Sequence, residues 1–186
     1  MPHADVDVPG LPRPVSARAE PAADEMPLTL DGFVAVHYRR LVRLAALVCL
    51  DGSEAQDAVQ NALLRAWRSR HRLRDPERMK PWLDAIVVRE AIRLNDRRRS
   101  WLQRLLRQAN EPEREPAGIP GGTALDLAVS LQRLPAPQRA AVALHYEAGY
   151  TVAEAAELLG VPRETVRSRL RMARQRLRRD LAEDTT

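Results

Sequence analysis

Residues 151–179, TVAEAAELLGVPRETVRSRLRMARQRLRR, decide the fold of this chain, because their pattern predicts two helices joined by a short turn. Thr151 and Glu154 have the spacing of a capping box, in which each side chain satisfies a free backbone N–H at the helix start. Gly160 is expected to end the first helix, and Pro162 suits the opening turn of the second because its φ is fixed and it lacks an N–H. A helix, a turn of a few residues and a second helix form the layout of a DNA-binding helix-turn-helix.

The second helix of this pair combines an apolar stripe with a basic stripe. At 100° per residue, four apolar residues share one face and five arginines share another, about a quarter turn away. The apolar stripe consists of Val166, Leu170, Ala173 and Leu177, and the basic stripe consists of Arg163, Arg167, Arg171, Arg174 and Arg178. Like charges four residues apart cost about 0.2–0.5 kcal/mol per pair unless an anion neutralises them. The pattern therefore predicts a polyanionic partner; a solvated, arginine-rich helix is the plainer alternative.

The composition predicts an all-α protein. Of the 186 residues, 45% are hydrophobic and only 4% are aromatic, and the runs of β-branched and aromatic residues that favour strands are missing. The net charge of +5 and the pI near 10.2 favour a polyanionic partner. The length allows one domain or two small ones.

Several classes of site are not expected. Cys49 is the single cysteine and lies in the apolar run LVRLAALVCL, so we expect a buried thiol in a reducing cytoplasm. No apolar run approaches the length of a membrane span, and the N-terminus lacks the pattern of a signal peptide, so no membrane insertion is expected. The four histidines are scattered, and no phosphate-binding loop or paired-carboxylate motif is present. The sequence therefore predicts no catalytic site, no metal site and no cofactor.

The N-terminal part is predicted to be a disordered tail followed by an amphipathic helix. Residues 1–27 contain six prolines among alanine and acidic residues, a composition that buries too little apolar surface to order itself. From Leu30 the apolar residues follow helical spacing, and Asp51-Gly52 is expected to end this helix. Its apolar face consists of Phe33, Val36, His37, Leu41, Leu44, Ala45 and Val48.

Two further helices are predicted to complete an N-terminal unit over residues 28–107. Ser53 and Gln56 have capping-box spacing at the start of the second helix, and the third is expected from Pro81 to about Arg99. The residues predicted to be buried are Val59, Leu63, Ala66 and Trp67 in the second helix, and Leu83, Val87, Ala91 and Leu94 in the third.

A flexible linker is predicted to join this unit to a second one. Residues 108–124 contain three prolines and three glycines, and a helix does not persist through them. The C-terminal unit, residues 125–186, is predicted to contain a short helix before Pro135, a second helix up to about Glu147 and the two helices of the helix-turn-helix. The expected fold is two small helical domains, the second a four-helix unit.

Taken in order, these elements resemble the extracytoplasmic-function subgroup of the sigma-70 family, whose members are specificity subunits of bacterial RNA polymerase. The resemblance covers about residues 30–181. It lies in SEAQDAVQNALLRAW (53–67), PWLDAIVVREAIRLNDRRR (81–99), RLPAPQRAAVALHYEAGYTVAEAAELLGVPRETVRSRL (133–170) and RMARQRLRR (171–179). It implies a transcription initiation factor, not an enzyme, that directs core polymerase to the −10 and −35 promoter elements through its domains 2 and 4.

The resemblance also implies the protein partners. Polar side chains on the second helix would bind the β′ clamp helices of core polymerase, and the β flap is a further expected contact. These side chains are Asp57, Gln60, Asn61 and Arg65, which are left on the outer side of the helix by its apolar stripe. An anti-sigma factor that covers both domains is the usual regulator of this subgroup.

The third helix would bind the −10 element and its unpaired strand. The implied contacts are Lys80, Trp82, Arg89, Arg93, Asn95, Asp96, Arg97 and Arg98. The chain departs from the family at Arg89, because many members have asparagine there, in an I-A-R-N run. Glu90 is expected to form an ion pair on the helix surface, and Trp67, Trp82 and Trp101 are candidates for stacking on bases, although Trp67 is expected to lie in the core.

The second helix of the helix-turn-helix would bind the −35 element in the major groove. The residues implied to lie nearest the bases are Arg163, Thr165, Arg167 and Ser168, and those implied to lie along phosphates are Arg171 and Arg174.

Two rival classes remain. A stand-alone helix-turn-helix regulator would use its N-terminal unit to sense a ligand or to dimerise, but that unit repeats the basic-helix design and has no heptad seam. A hydrolase or nuclease would need a carboxylate or metal cluster, which the sequence lacks.

Overall fold

A computed structural model of the chain describes residues 29–109 and 123–183, and within these two segments it contains helices and no β-strand. The helices are α1 (Leu30–Cys49), α2 (Gly52–Ser69), α3 (Met79–Ala109), α4 (Thr123–Gln132), α5 (Ala136–Val142), α6 (Val152–Leu159) and α7 (Arg163–Glu183). Two short 3₁₀ turns, Arg70–Arg72 and Pro76–Arg78, connect α2 to α3, and a π-helical turn, Ala143–Glu147, extends α5. The prediction of an all-α fold is confirmed.

Helices α1 to α3 form a three-helix N-terminal unit around one apolar core. Leu41 and Val48 of α1, Val59 of α2 and Leu83 and Val87 of α3 are fully buried in it. Cys49 is also buried, as predicted.

The prediction of burial is wrong for two residues, because Val36 is 55% exposed and Trp67 is 49% exposed. Val36 lies at the edge of the α1 stripe. Trp67 lies one position beyond the buried Ala66, where it lines an open cavity with Leu30 and Leu63.

The junction between α1 and α2 differs from the predicted one. Helix α1 ends at Cys49, and its C-cap, Leu50, has a left-handed φ of 67° and an N–H that donates to the Ala46 carbonyl at 2.8 Å. Asp51 is the N-cap of α2, and its carboxylate accepts from the backbone N–H groups of Ser53 at 2.8 Å and Glu54 at 3.0 Å. The predicted Ser53–Gln56 capping box is therefore wrong, since the carboxylate two residues earlier already satisfies these donors.

Helix α3 is longer than predicted at both ends. It begins at Met79, and Pro81 occupies its third position, where a missing N–H costs nothing because the first four have no intrahelical acceptor. It continues past Arg99 to Ala109 because no glycine or proline occurs before Pro112. Residues 108–109 and 123–124 of the predicted linker are helical, and the rest of the linker, like the predicted N-terminal tail, lies outside the described residues.

Helices α4 to α7 form the C-terminal unit, and its helix-turn-helix has the predicted geometry. The Thr151–Glu154 capping box is present, with the Glu154 N–H donating to the Thr151 hydroxyl at 3.3 Å and the Thr151 N–H donating to the Glu154 carboxylate at 2.8 Å. Gly160 ends α6 with a left-handed φ of 68°. The apolar stripe of α7, from Val166 to Leu177, is buried throughout.

The two units pack against each other, which the sequence did not indicate. Helices α1 and α3 contact α5, and α3 also contacts α6, the first helix of the helix-turn-helix. In the part of the chain that the structure describes, no helix has both the length and the apolar character needed to cross a bilayer.

Candidate nucleic-acid interfaces

The outer face of α7 is the first candidate interface. Arg163, Arg167 and Arg171 are exposed on it, while the apolar stripe beneath them is anchored in the core of the C-terminal unit. Thr165 and Ser168 lie between these arginines and are partly exposed. The helix thus presents cations and short polar groups on one rigid face, which matches the chemistry of phosphates and base edges.

Two arginines of α7 have partners within the unit. Arg167 pairs with Glu164 one turn earlier, and both side chains are largely exposed, so the pair is free to exchange for another partner. Arg174 donates from Nε to the Tyr146 hydroxyl at 2.7 Å, and its guanidinium lies 5.8 Å from the Tyr146 ring centroid. Arg174 is therefore held against the end of the α5 extension in this structure.

Helix α3 is the second candidate interface, and its predicted contact residues fall into separate groups. Asp96, Arg97 and Arg98 are exposed and Asn95 is half-buried. Arg98 pairs with Glu54 of α2 at 2.8 Å.

Lys80 and Arg89 instead face the C-terminal unit. The Lys80 ammonium lies 3.4 Å from the Tyr150 hydroxyl, and Arg89 donates to the Leu158 carbonyl at 2.7 Å. Trp82 is partly buried at the start of α3, where it lines a cavity with Met79, and Trp101 is 55% exposed.

Glu90 is not on the surface, contrary to the prediction. It is 2% exposed. Its carboxylate forms ion pairs with Arg65 of α2, at 2.7 Å, and with Arg93 on the next turn of α3. Burial excludes water from the carboxylate, so both arginines are drawn to it. Arg93 is thereby partly neutralised.

A basic cleft beside Arg89 was not predicted. It lies between the end of α2 and α3, has a volume of about 380 Å³, and is lined by Arg65, Arg68, Arg72, His71 and Arg89 among other residues. The signal was present in the sequence as RSRHRLR, residues 68–74, a run of alternating arginines between two helices. Such a concentration of positive charge favours an anionic ligand.

The outer face of α2 is polar, with an apolar groove next to it. Asp57 and Gln60 are exposed and Asn61 is half-buried, whereas Arg65 is tied to Glu90. The groove has a volume of about 620 Å³, and its lining residues include Gln60, Leu63, Leu64, Trp67, Leu30 and Val34. Leu64 is 57% exposed and was not predicted as part of a surface. Polar groups around an exposed apolar patch are typical of a protein-binding surface.

Within residues 29–109 and 123–183, no three His, Cys, Asp or Glu side chains lie close enough together to hold an ion.

Comparison with known proteins finds a family match for each of the two helical units. The family model "Sigma-70 region 2" matches residues 33–102, and "Sigma-70, region 4" matches residues 124–177. The extracytoplasmic-function (ECF) RNA polymerase sigma factor SigM of Mycobacterium tuberculosis is 36% identical over 148 residues, 77% of this chain and 72% of SigM. SigL of the same organism, also an ECF RNA polymerase sigma factor, is 32% identical over 175 residues, 91% of this chain and 96% of SigL.

Solved structures agree on the fold. The sigma factor RpoE in complex with the anti-sigma factor NepR from Bartonella quintana superposes with a TM-score of 0.58, at 23% identity over 82% of this chain and 96% of RpoE. CnrH in complex with the cytosolic domain of CnrY gives a TM-score of 0.56, at 25% identity over 83% of this chain and 88% of CnrH.

Proposed function

Because the chain belongs to the sigma-70 family, in its extracytoplasmic-function subgroup, and is a transcription initiation factor, we propose which surfaces perform each step of promoter recognition. The observation that carries the proposal is the α7 face, where exposed arginines overlie a buried apolar stripe and follow a capped, tightly turned α6. The C-terminal unit acts as sigma domain 4 and the N-terminal unit as sigma domain 2.

Helix α7 binds the −35 element in the major groove. Its N-terminal end supplies Arg163, Thr165, Arg167 and Ser168 to the bases, as the second helix of a helix-turn-helix does. The Glu164–Arg167 pair is exposed, so exchanging it for a contact with guanine or phosphate costs little. Arg171 lies one turn further along and contacts the phosphate backbone.

Helix α3 binds the −10 element. Asn95, Asp96, Arg97 and Arg98 are accessible to the unpaired strand, and the basic cleft next to Arg89 extends the positive surface towards α2. Arg89 replaces the asparagine common in the family. This chain therefore has a charged guanidinium with several N–H donors at the position where other members have a neutral amide. Lys80 and Arg89 reach DNA only after leaving their partners in the C-terminal unit.

Helix α2 binds the β′ clamp helices of core polymerase. Asp57, Gln60 and Asn61 supply polar contacts, and the adjacent Leu64 and Trp67 supply exposed apolar area that association would remove from water. The C-terminal unit contacts the β flap. Core polymerase then fixes the separation of the two DNA-binding surfaces and multiplies their individually weak affinities.

An anti-sigma factor is the regulatory partner that we propose. RpoE is described in complex with the anti-sigma factor NepR, and CnrH in complex with the cytosolic domain of CnrY. A two-unit helical chain of the same fold offers a similar surface to a regulatory partner. The protein acts in the cytoplasm, beside the polymerase, and catalyses no reaction itself.

Run-off transcription tests the function directly. Core polymerase with this protein should produce a discrete transcript from a promoter of the chain's own genome, and core polymerase alone should not. Tight binding of the purified chain to the same promoter without core polymerase, together with no transcript when core polymerase is added, would instead indicate a stand-alone helix-turn-helix regulator.

A further inference from the structure

The C-terminal part of α3 is exposed to solvent. Within the residues described, the last buried one of α3 is Ala91, and between positions 96 and 105 every side chain that the structure describes is exposed. We call residues 96–105 the α3 extension. Helices in proteins gain most of their stability by packing an apolar face against other elements, so the core of the N-terminal unit does not account for these turns.

One face of the α3 extension combines cations with apolar side chains. At 100° per residue, Arg97, Trp101 and Arg104 lie within about 60° of one another, and Leu105 adjoins Trp101. Trp101 is 55% exposed and Leu105 is 41% exposed. Neither Arg97 nor Arg104 forms an ion pair with a residue that the structure describes, and Arg104 donates from Nε to the Ser100 carbonyl of its own helix at 3.2 Å. The face therefore presents charge and apolar area that no described part of the chain covers.

The charge of the α3 extension favours a polyanion. It contains four arginines against the single Asp96, a net charge of +3; the arginines are Arg97, Arg98, Arg99 and Arg104. Among the described residues, Arg98 alone of the four has an acidic partner, Glu54. A tryptophan between arginines suits the edge of a DNA groove, because guanidinium groups bind phosphates and the indole contacts sugars and thymine methyl groups.

The basic face also extends the −10 surface along the helix axis. Arg97 is among the residues that we assign to the −10 element, and Arg104 lies about 10 Å further along α3 at 1.5 Å per residue. That length equals the rise of about three base pairs. Arg104 and Trp101 therefore reach promoter positions that lie next to the −10 element and outside it.

The length of the connection between α3 and α4 decides on which side of the −10 element these positions lie. Residues 110–122 join the two helices and span at most about 50 Å. Centres near positions −35 and −10 are roughly 85 Å apart on straight B-DNA at 3.4 Å per base pair. The C-terminal unit reaches the −35 element only if the C-terminal end of α3 points upstream. The α3 extension then faces the duplex upstream of the unpaired segment.

Building on the proposed promoter function, we propose that the α3 extension is a third DNA-binding surface, which holds the promoter duplex immediately upstream of the −10 element. Arg104 binds a phosphate, and Trp101 and Leu105 cover the sugars beside it. The match to the region 2 family model ends at residue 102, so Arg104 and Leu105 lie beyond the part of the chain that this model describes. The surface adds affinity for duplex DNA to a domain whose other contacts are with the unpaired strand.

Two forked DNA probes measure this contact in the complex of core polymerase with the full-length chain. Both carry the same unpaired −10 strand, taken from a promoter that gives a run-off transcript, and neither carries a −35 element. The short probe ends at the −10 element, and the long probe adds about six base pairs of upstream duplex, which exceeds the reach of Arg104. Wild type should bind the long probe about tenfold more tightly, because a phosphate contact and a covered indole are gained.

Substitutions on the two sides of the α3 extension separate this contact from general charge. Trp101→Ala combined with Arg104→Ala should abolish most of the gain and leave the affinity for the short probe unchanged; alanine favours a helix, and circular dichroism checks that helix content is kept. Arg99→Ala is the matched control, because it removes one exposed charge about 200° away from Arg97 around the same helix, and it should keep the gain. Arg104→Ala alone should reduce the magnitude of the log–log salt slope on the long probe by about 1, whereas Arg99→Ala should not.

The outcomes distinguish this surface from the promoter function. An unchanged gain in the double variant, or equal losses from Arg104→Ala and Arg99→Ala, would overturn the third surface. Weaker binding of the double variant to core polymerase would also overturn it, because the face would then contact protein. If wild type binds neither probe and gives no run-off transcript with core polymerase, the promoter function itself is refuted.

Discussion

The Nε of Arg65 on α2 lies 2.7 Å from the buried carboxylate of Glu90 on α3, in an ion pair, and Arg93 pairs with the same carboxylate from the next turn of α3. Glu90 is 3% exposed at its side chain, whereas Arg65 is 53% exposed. The ion pairs with the two arginines therefore compensate for the hydration that the carboxylate loses on burial. The Arg65–Glu90 pair also links α2 to α3 directly beside the basic cleft.

Glu90→Gln should destabilise the protein by about 2 kcal/mol, because it removes a buried charge-assisted cluster while the half-exposed arginines can turn to water. The midpoint of urea unfolding measures this loss. Glu157→Gln, on the exposed face of α6, is the matched control and should leave the midpoint unchanged. Equal midpoints for Glu90→Gln and wild type would show that the cluster contributes no net stability.

Arg167→Ala should lower transcription from a −35-dependent promoter about tenfold, because one groove-facing guanidinium is worth about 1–3 kcal/mol. Binding to core polymerase should not change, since Val166 and Leu170 stay packed. Arg179→Ala, about 18 Å further along the same helix, is the control and should have a small effect. Wild-type transcription from Arg167→Ala would remove this residue from the −35 interface.

Arg171 and Arg174 should differ in the salt dependence of promoter binding. If about six phosphates are neutralised by the −35 surface, its log–log slope is near −5, and losing one contact reduces the magnitude by about 1. Arg171→Ala should show this change, whereas Arg174→Ala should not, because Arg174 is held on the Tyr146 hydroxyl. A salt titration of holoenzyme on one promoter compares the two variants, and the same slope change in both would mean that Arg174 leaves Tyr146 for DNA.

Replacing both Asp57 and Gln60 by alanine should weaken association with core polymerase about tenfold or more without lowering stability, since both side chains are exposed on α2. Fluorescence titration with core polymerase gives the affinity, and thermal unfolding gives the stability. Gln132→Ala, exposed on α4, is the control. Undiminished affinity in the double variant would place the docking surface elsewhere.

Alkaline pH should destabilise the native state through Cys49. Burial raises its pKa from the ordinary 9.0 to about 12, so the unfolded thiol ionises first and stability falls as pH rises from about 9 towards 12. Urea unfolding at pH 8 and pH 10.5 should show a larger loss in wild type than in Cys49→Ala. Identical losses would show that the thiol does not contribute to the alkaline response.

Prediction from sequence succeeded where the relevant interactions are local. The Thr151–Glu154 capping box, the end of α6 at Gly160 and the buried stripe of α7 each depend on residues a few positions apart, so spacing was sufficient. The Ser53–Gln56 capping box failed because Asp51 competes for the same backbone donors. The prediction that Trp67 is buried failed because a residue at the edge of an apolar stripe is buried only if a neighbouring helix covers it.

By itself, the sequence determined that the chain is helical, that a basic helix-turn-helix forms its C-terminal part, and which face of α7 is buried. These follow from periodicity and short-range hydrogen bonds. Only the tertiary structure decided where Glu90, Asp84 and Arg89 find their partners. Tyr150 meets Asp84 from 66 residues away and Arg89 meets Leu158 from 69 residues away. Such pairs depend on how whole helices pack, because no local spacing relates the two residues.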